Sequence, residues 1–188
     1  MKIIKTKLEG CLILEPSVYT DQRGYFFESF NKKRFNEETG LQVDFVQDNQ
    51  SFSSRGVIRG LHAQLGEHAQ AKLVRVLEGE VIDVAVDARS GSKTFGEYVA
   101  VNLSAENKRQ LFVPRGFLHG FAVLSETASF FYKCDNYYQK DAEWGVDLLD
   151  KDLAIDWQLS PEEMIISDKD LHLPSFKQAI DRYFNKLR

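Results

Sequence analysis

An all-β sandwich or closed barrel is the fold class this sequence predicts. Strand-like segments crowd its middle, turn signals separate them, and helical periodicity is confined to two short stretches. In chain order, the first helical stretch runs from Lys32 to Thr39 and is stopped by Gly40. From Lys72 to Asp87, KLVRVLEGEVIDVAVD sets β-branched residues on both sides of a Glu-Gly-Glu turn. EYVAVNL, RQLFV, HGFAVL and ASFFYKC follow at short intervals. The tail closes with a helix that Ser175 caps, with Phe176, Ile180, Tyr183, Phe184 and Leu187 on its apolar face, packed on its own domain or on a second subunit.

Composition narrows the function classes. The 188 residues carry 43% hydrophobic content and no linker, repeat or low-complexity stretch, which predicts one domain over 1–188. A net charge of -4, with the 24 basic residues scattered, argues against nucleic acid, so any anionic ligand must be met by a few placed cations. No run approaches the roughly 18 apolar residues of a membrane span, and the apolar run near the start is too short for a signal peptide. The expected location is the cytoplasm, where Cys11 and Cys134, far apart and outside any CxxC or Cys/His cluster, would stay reduced.

Alternation supplies the first sign of a site. Lys72 falls on the same strand face as Val74 and Val76, His119 as Phe121 and Val123, and Tyr132 as Phe130 and Cys134. A polar group on an apolar face needs a partner, so these positions are either strand ends reaching water or the lining of a polar pocket in a barrel mouth. SRGVIRGLHAQ (Ser54 to Gln64) adds glycines that permit close backbone approach, Arg59 for an anion and His62 as a base near neutral pH. FVPRGFLHGF sets Pro114, Gly116 and His119 in a P-x-G-x-x-H pattern that resembles the second motif of the cupins. Metal-binding cupins carry an H-x-H pair with a following Glu. Here His62 is followed by Ala63 and Gln64, while His68 and His172 fall in a turn and a loop, so no metal is expected.

RGYFFESF (Arg23 to Phe30), FVQDNQS (Phe45 to Ser51), VIRGLHAQ, the stretch from Ala69 to Tyr98, VNLSAENKRQLFVPRGFLHGF, FFYKCDNYY and ISDKD (Ile166 to Asp170) together resemble the dTDP-4-dehydrorhamnose 3,5-epimerase family. The likeness runs from about Lys5 to about Pro174. It implies a cupin-type jelly-roll barrel with a few short helices and a C-terminal helix over 175–188. It also implies a cofactor-free isomerase acting on dTDP-4-dehydro-6-deoxy-D-glucose in the supply of rhamnose to cell-surface polysaccharide. The C4 ketone of that sugar acidifies C3–H and C5–H, so the reaction needs a base on one face, an acid on the other and a stabilised enolate.

The family positions imply His62 as the base, Asp170 as its dyad partner, Tyr132 as the acid, and Lys72 and His119 at the ketone. They imply Arg23, Arg59 and Lys169 as cations for the nucleotide diphosphate, with Glu28, Gln47, Asp48, Asn49 and Glu143 as polar contacts. Ala63 stands where the family commonly has an aromatic residue, and Phe112 where Trp is frequent. Family members are dimers that exchange N-terminal strands, so MKIIKTKLEGCLIL is expected at a homodimer interface. Rival readings are a mono-epimerase, a 3,4-ketoisomerase, a metal-dependent cupin oxygenase and a non-catalytic sugar-binding cupin. Retention of both His62 and Tyr132 favours double epimerisation.

Overall fold

A computed structural model of the chain describes residues 1–184. The strands are β1 (Lys2–Lys5), β2 (Leu12–Glu15), β3 (Tyr19–Asp21), β4 (Gly24–Phe26), β5 (Gln47–Ser54), β6 (Ile58–Gln64) and β7 (Lys72–Glu78). They continue with β8 (Glu80–Asp87), β9 (Tyr98–Ser104), β10 (Gln110–Val113), β11 (Phe117–Val123), β12 (Thr127–Cys134) and β13 (Glu143–Gly145). Among the described residues three α-helices accompany them: α1 (Lys32–Thr39), α2 (Asp168–Leu171) and α3 (Phe176–Tyr183). The all-β expectation holds.

One sheet has the order β1-β2-β10-β7-β12-β5 and the other β13-β6-β11-β8-β9, while β3 and β4 form a separate hairpin. The predicted Glu-Gly-Glu turn joins β7 to β8 without pairing them, because the two strands belong to different sheets. Gly79 makes the crossing at φ +78, where a Cβ would lie 2.0 Å from the Thr127 carbonyl oxygen. Only glycine fits that corner.

Alternation then sorts the side chains into layers. Val74, Val76, Val81, Ala85, Phe121 and Phe130 meet between the sheets as the central core. Beyond the five-stranded sheet, Leu61, Val84, Leu118, Trp144 and Trp157 pack with Phe176 and Ala179 of α3. The tail thus folds onto its own chain, with a Ser175 capping box at its start; Leu187 lies outside the described residues. Beyond the six-stranded sheet, Phe35 of α1 closes a cluster with Leu14, Leu73 and Phe112. Helix α1 ends at Gly40 in the left-handed conformation, as the sequence predicts, and begins on an Asn31 cap.

The long loop between β8 and β9 is pinned by Asp87, whose fully buried carboxylate accepts from Arg89 Nε at 2.9 Å, Ser92 Oγ at 2.6 Å and Thr94 Oγ1 at 2.7 Å. Burial pushes this carboxyl up, but the hydrogen bonds from Arg89, Ser92 and Thr94 outweigh it and hold it well below the usual carboxylate range. Since its folded pKa is depressed, the group stabilises the fold above its unfolded value of about 4, and that contribution fades as acid protonates it. Asp87→Ala, which strands Arg89, is expected to cost about 3 kcal/mol in urea unfolding at pH 7 and to flatten the loss of stability below about pH 4.

Candidate active site

The site is built where β6 and β11 come unusually close. Gly60, at φ +129, faces Gly120 so tightly that a Cβ on Gly60 would stand 2.6 Å from the Gly120 Cα, and one on Gly120 would stand 2.7 Å from the Arg59 carbonyl oxygen. The β6–β11 register shifts between His119 and Phe121, which leaves His119 directly opposite His62. The glycines noted in the sequence around Arg59 therefore do permit close approach.

Asp170 reaches His62 across 108 positions of sequence through a chain of backbone contacts. The segment leading into α2 runs beside β6: Ile165 N–H donates to the Gly56 carbonyl at 2.8 Å, and Ile58 N–H donates back to Ile165 at 3.0 Å. Ser167 caps α2, its side chain accepting from the Asp170 N–H. The Asp170 carboxylate, buried, then lies 2.7 Å from His62 Nε2. Burial raises the Asp170 carboxyl, yet the hydrogen bond and charge of His62 prevail and hold it below its ordinary value. A carboxylate only accepts, so it fixes the His62 N–H on Nε2 and leaves Nδ1 as the basic nitrogen.

Two adjoining cavities, of about 620 and 290 Å³, share His62, Lys72, Tyr132 and Asn49 in their walls. Lys72 comes from β7 and Tyr132 from β12, both in the six-stranded sheet, whereas His62 and His119 stand on the five-stranded sheet. Burial lowers the Lys72 ammonium and raises the Tyr132 phenol. The Lys72 Nζ has no hydrogen-bond or ion-pair partner among the described residues; it lies 5.8 Å from the Tyr132 ring centre. An unpaired ammonium in a half-buried cavity is a place for an oxygen that carries or develops negative charge.

The larger cavity also holds His119, Arg59 and Lys169, and the smaller one Gln47 and Glu143. Arg59 spends Nε on Ser53 Oγ at 3.2 Å, and its two terminal nitrogens have no partner among the described residues. Lys169 is paired with Glu143, which also accepts from Tyr138 Oη at 2.7 Å. Gln47 donates to Asn49 at 3.1 Å, and Asn49 donates to the Cys134 sulfur at 3.7 Å. Cys134 and Cys11 are free, buried thiols.

Three residues expected here stand elsewhere in the chain. Asp48 alternates to the outer face of β5, between inward Gln47 and Asn49, and pairs with Lys133 at 3.0 Å. Arg23 sits in the turn of the β3–β4 hairpin against Asp21, and Glu28 pairs with Arg34 at 3.1 Å. Neither Arg23 nor Glu28 lines the two cavities. Conversely, Asp83 was not singled out from the sequence. Its signal was an acid inside the apolar run VIDVAVD, and it proves fully buried against His119. The described residues contain no group of three or more His, Cys, Asp or Glu placed to hold a metal ion, and no helix long and apolar enough to cross a membrane.

The glycine contact yields a direct test. Gly120→Ala must push β6 away from β11, and its urea unfolding is expected to show a loss of about 2 kcal/mol. A crystal structure of the variant should show His62 and Asp170 farther apart than 2.7 Å.

Residues 5–178 match the family model for dTDP-4-dehydrorhamnose 3,5-epimerase. The chain is 54% identical over 179 residues to the dTDP-4-dehydrorhamnose 3,5-epimerase of Shigella flexneri, covering 95% of this chain and 98% of that protein. The crystal structure of the corresponding enzyme from Elizabethkingia anophelis superposes with a TM-score of 0.92 at 59% identity, over 95% of this chain and 97% of that one. The Legionella pneumophila epimerase, solved in complex with dTDP-4-keto-L-rhamnose, gives 0.90 at 51% identity, over 94% and 93% of the two chains. With a cupin-type jelly roll, the histidine segments in place and these relatives alike over nearly their full length, the chain belongs to the dTDP-4-dehydrorhamnose 3,5-epimerase family of isomerases.

Proposed function

We propose that this chain, acting as one domain without a metal or organic cofactor, converts dTDP-4-dehydro-6-deoxy-α-D-glucose to dTDP-4-dehydro-β-L-rhamnose. The observation that carries the reading is the set around the two cavities: His62 on one sheet, hydrogen-bonded to Asp170 of α2, Tyr132 on the other sheet, and in the same walls a Lys72 ammonium with no partner among the described residues. The sugar ring sits between the sheets. His62 Nδ1 removes the C3 proton, and electrons flow into the C4 carbonyl. Lys72, with His119, holds the enolate oxygen. Tyr132, kept protonated by its burial, returns a proton from the opposite face; His62 then gives its proton to solvent, Tyr132 regains one from solvent, and the sequence repeats at C5. Asp170, kept ionised, holds the His62 ring and stabilises the imidazolium between steps. Arg59 takes the diphosphate with its two free nitrogens, and Lys169, Glu143, Gln47 and Asn49 contact the remainder of the nucleotide.

Arg23 and Glu28 fit the same reading if the working unit is a homodimer in which the N-terminal region of one copy reaches the cavities of the other. Arg75 lies on the outer face of the six-stranded sheet beneath Phe27, its Nε and Nη1 buried without a partner among the described residues. Two free thiols suit a reducing cytoplasm, and the rhamnose would pass to cell-surface polysaccharide.

Incubation with the dTDP-4-dehydro sugar in heavy water is expected to place deuterium at both C3 and C5. Exchange at one carbon would favour a mono-epimerase, and none would sink the mechanism. His62→Ala is expected to abolish exchange at both carbons, Lys72→Ala to cut kcat on the order of 10²-fold, and Tyr132→Phe to impair completed inversion more than first proton loss. Light scattering is expected to return twice the 21.6 kDa chain mass, and Arg23→Ala to raise KM with kcat nearly unchanged. A fully active monomer would rule out the dimer.

A further inference from the structure

His119 is held by a second carboxylate, on a strand that contributes nothing else to the cavities. Asp83 on β8 sits opposite Phe121, one inward position along from His119. It is fully buried, and His119 Nε2 lies 3.0 Å from Oδ1 and 3.0 Å from Oδ2, midway between the two oxygens. No other hydrogen-bond donor reaches this carboxylate among the described residues. The His119 ring stacks near Phe130, 6.1 Å between centres, and lines the larger cavity. Its Nδ1 has no protein partner among the described residues.

A fully buried carboxylate with a single donor is costly to keep in an apolar layer, and a neutral residue of the same shape would pack there more easily. Its geometry does one specific thing. Because a carboxylate can only accept, the ring hydrogen of neutral His119 must stand on Nε2, so every proton this ring gains or gives up is at Nδ1, the nitrogen left without a protein partner.

We propose that Asp83 is a positioning residue for the epimerisation. Acting through His119, it anchors Nε2–H and turns Nδ1 toward the cavity beside Lys72, where the enolate oxygen forms, so that the proton the ring gains on charging is presented there. The proposal rests on the epimerase reading given above and assigns a residue that touches no part of the substrate. Two histidine–carboxylate pairs then face one cavity with matching tautomers: Asp170 sets His62 for taking protons from carbon, and Asp83 sets His119 for donating to oxygen. A charged His119 donates from Nδ1 to the developing enolate and keeps its proton as the ketone re-forms, so no proton is consumed over the cycle.

The test combines nitrogen NMR of histidine-labelled protein with kinetics of Asp83→Asn, His119→Asn and the double variant. At a pH where the rings are neutral, the His119 signals, assigned by their absence in His119→Asn, are expected to show the proton on Nε2. In Asp83→Asn, whose amide can also donate, that single tautomer is expected to be lost. Asp83→Asn is expected to lower kcat on the order of 10²-fold with KM changed less than about threefold. The double variant should be no slower than His119→Asn alone, because one residue acts through the other. Unchanged melting and unchanged dTDP affinity separate this from simple loss of fold. A wild-type His119 protonated on Nδ1, a wild-type rate for Asp83→Asn, or losses that multiply in the double variant would each overturn the proposal. The NMR arm needs no turnover, so its failure is distinct from a failure to see deuterium exchange in the parent enzyme.

Discussion

The approach of β6 to β11 at Gly60 and Gly120 is the constraint on which the site depends. Two backbones cannot come that near with a Cβ on either one, and the strand register shifts at that point. The shift brings His62 and His119, from segments 57 positions apart, into direct opposition on one sheet. It also fixes the backbone against which the Ile165 segment lies, and through that segment the place of Asp170. A glycine here is therefore a catalytic constraint exerted through geometry. Its conformational cost in the unfolded chain is offset by the packing of Ile58, Leu61 and Leu118 behind it.

Charge is distributed unevenly over this frame, and the unevenness is chemically useful. Both histidines have a carboxylate, and Lys169 is neutralised by Glu143. Among the described residues, Lys72 and the end of the Arg59 guanidinium have none. An acidic protein repels anions at long range, so affinity for a diphosphate and for an enolate has to come from unpaired cations held within a few ångströms of where those charges sit. Half-burial strengthens those contacts while lowering the Lys72 pKa, which makes the ammonium a better donor to a developing oxyanion.

Strand periodicity made part of this legible in the sequence. Lys72, His119 and Tyr132 were visible as polar residues on apolar faces; Val74, Val76, Phe121 and Phe130 do form one core, Tyr132 packs against it, and all three polar residues line the larger cavity. The helix from Lys32 to Thr39 and the capped tail were readable because their signals are local. Asp170 was not, since its partner lies 108 positions away and nothing local marks the pair; only family resemblance brought them together. Asp83 stayed hidden for a different reason. Every residue of β8 from Val81 to Asp87 is buried, so alternation offers no contrast by which to pick out an inward acid. Asp48 was placed with its neighbours by resemblance, although period-two alternation by itself would have turned it to the other face. The positions of Arg23 and Glu28 depend on a hairpin outside both sheets, which no strand pattern of the main body constrains.

Inverting a carbon requires that a proton leave one face and arrive at the other, so base and acid cannot share a surface. A single sheet would put His62 and Tyr132 side by side. In this fold they come from different sheets, whose inner faces in such sandwiches stand about 10 Å apart, room for one flat sugar ring and a hydrogen bond on either side. In the proposed mechanism the same gap would let one base and one acid serve both C3 and C5, because those carbons flank a single carbonyl and need only a modest shift of the ring to exchange places before His62. The apolar floor of Phe121 and Phe130 offers few hydrogen bonds to resist that shift, while Arg59 can retain the diphosphate throughout. In the proposed mechanism, two inversions from one dyad then follow from the spacing of the sandwich and the position of the ketone between the two reacting carbons.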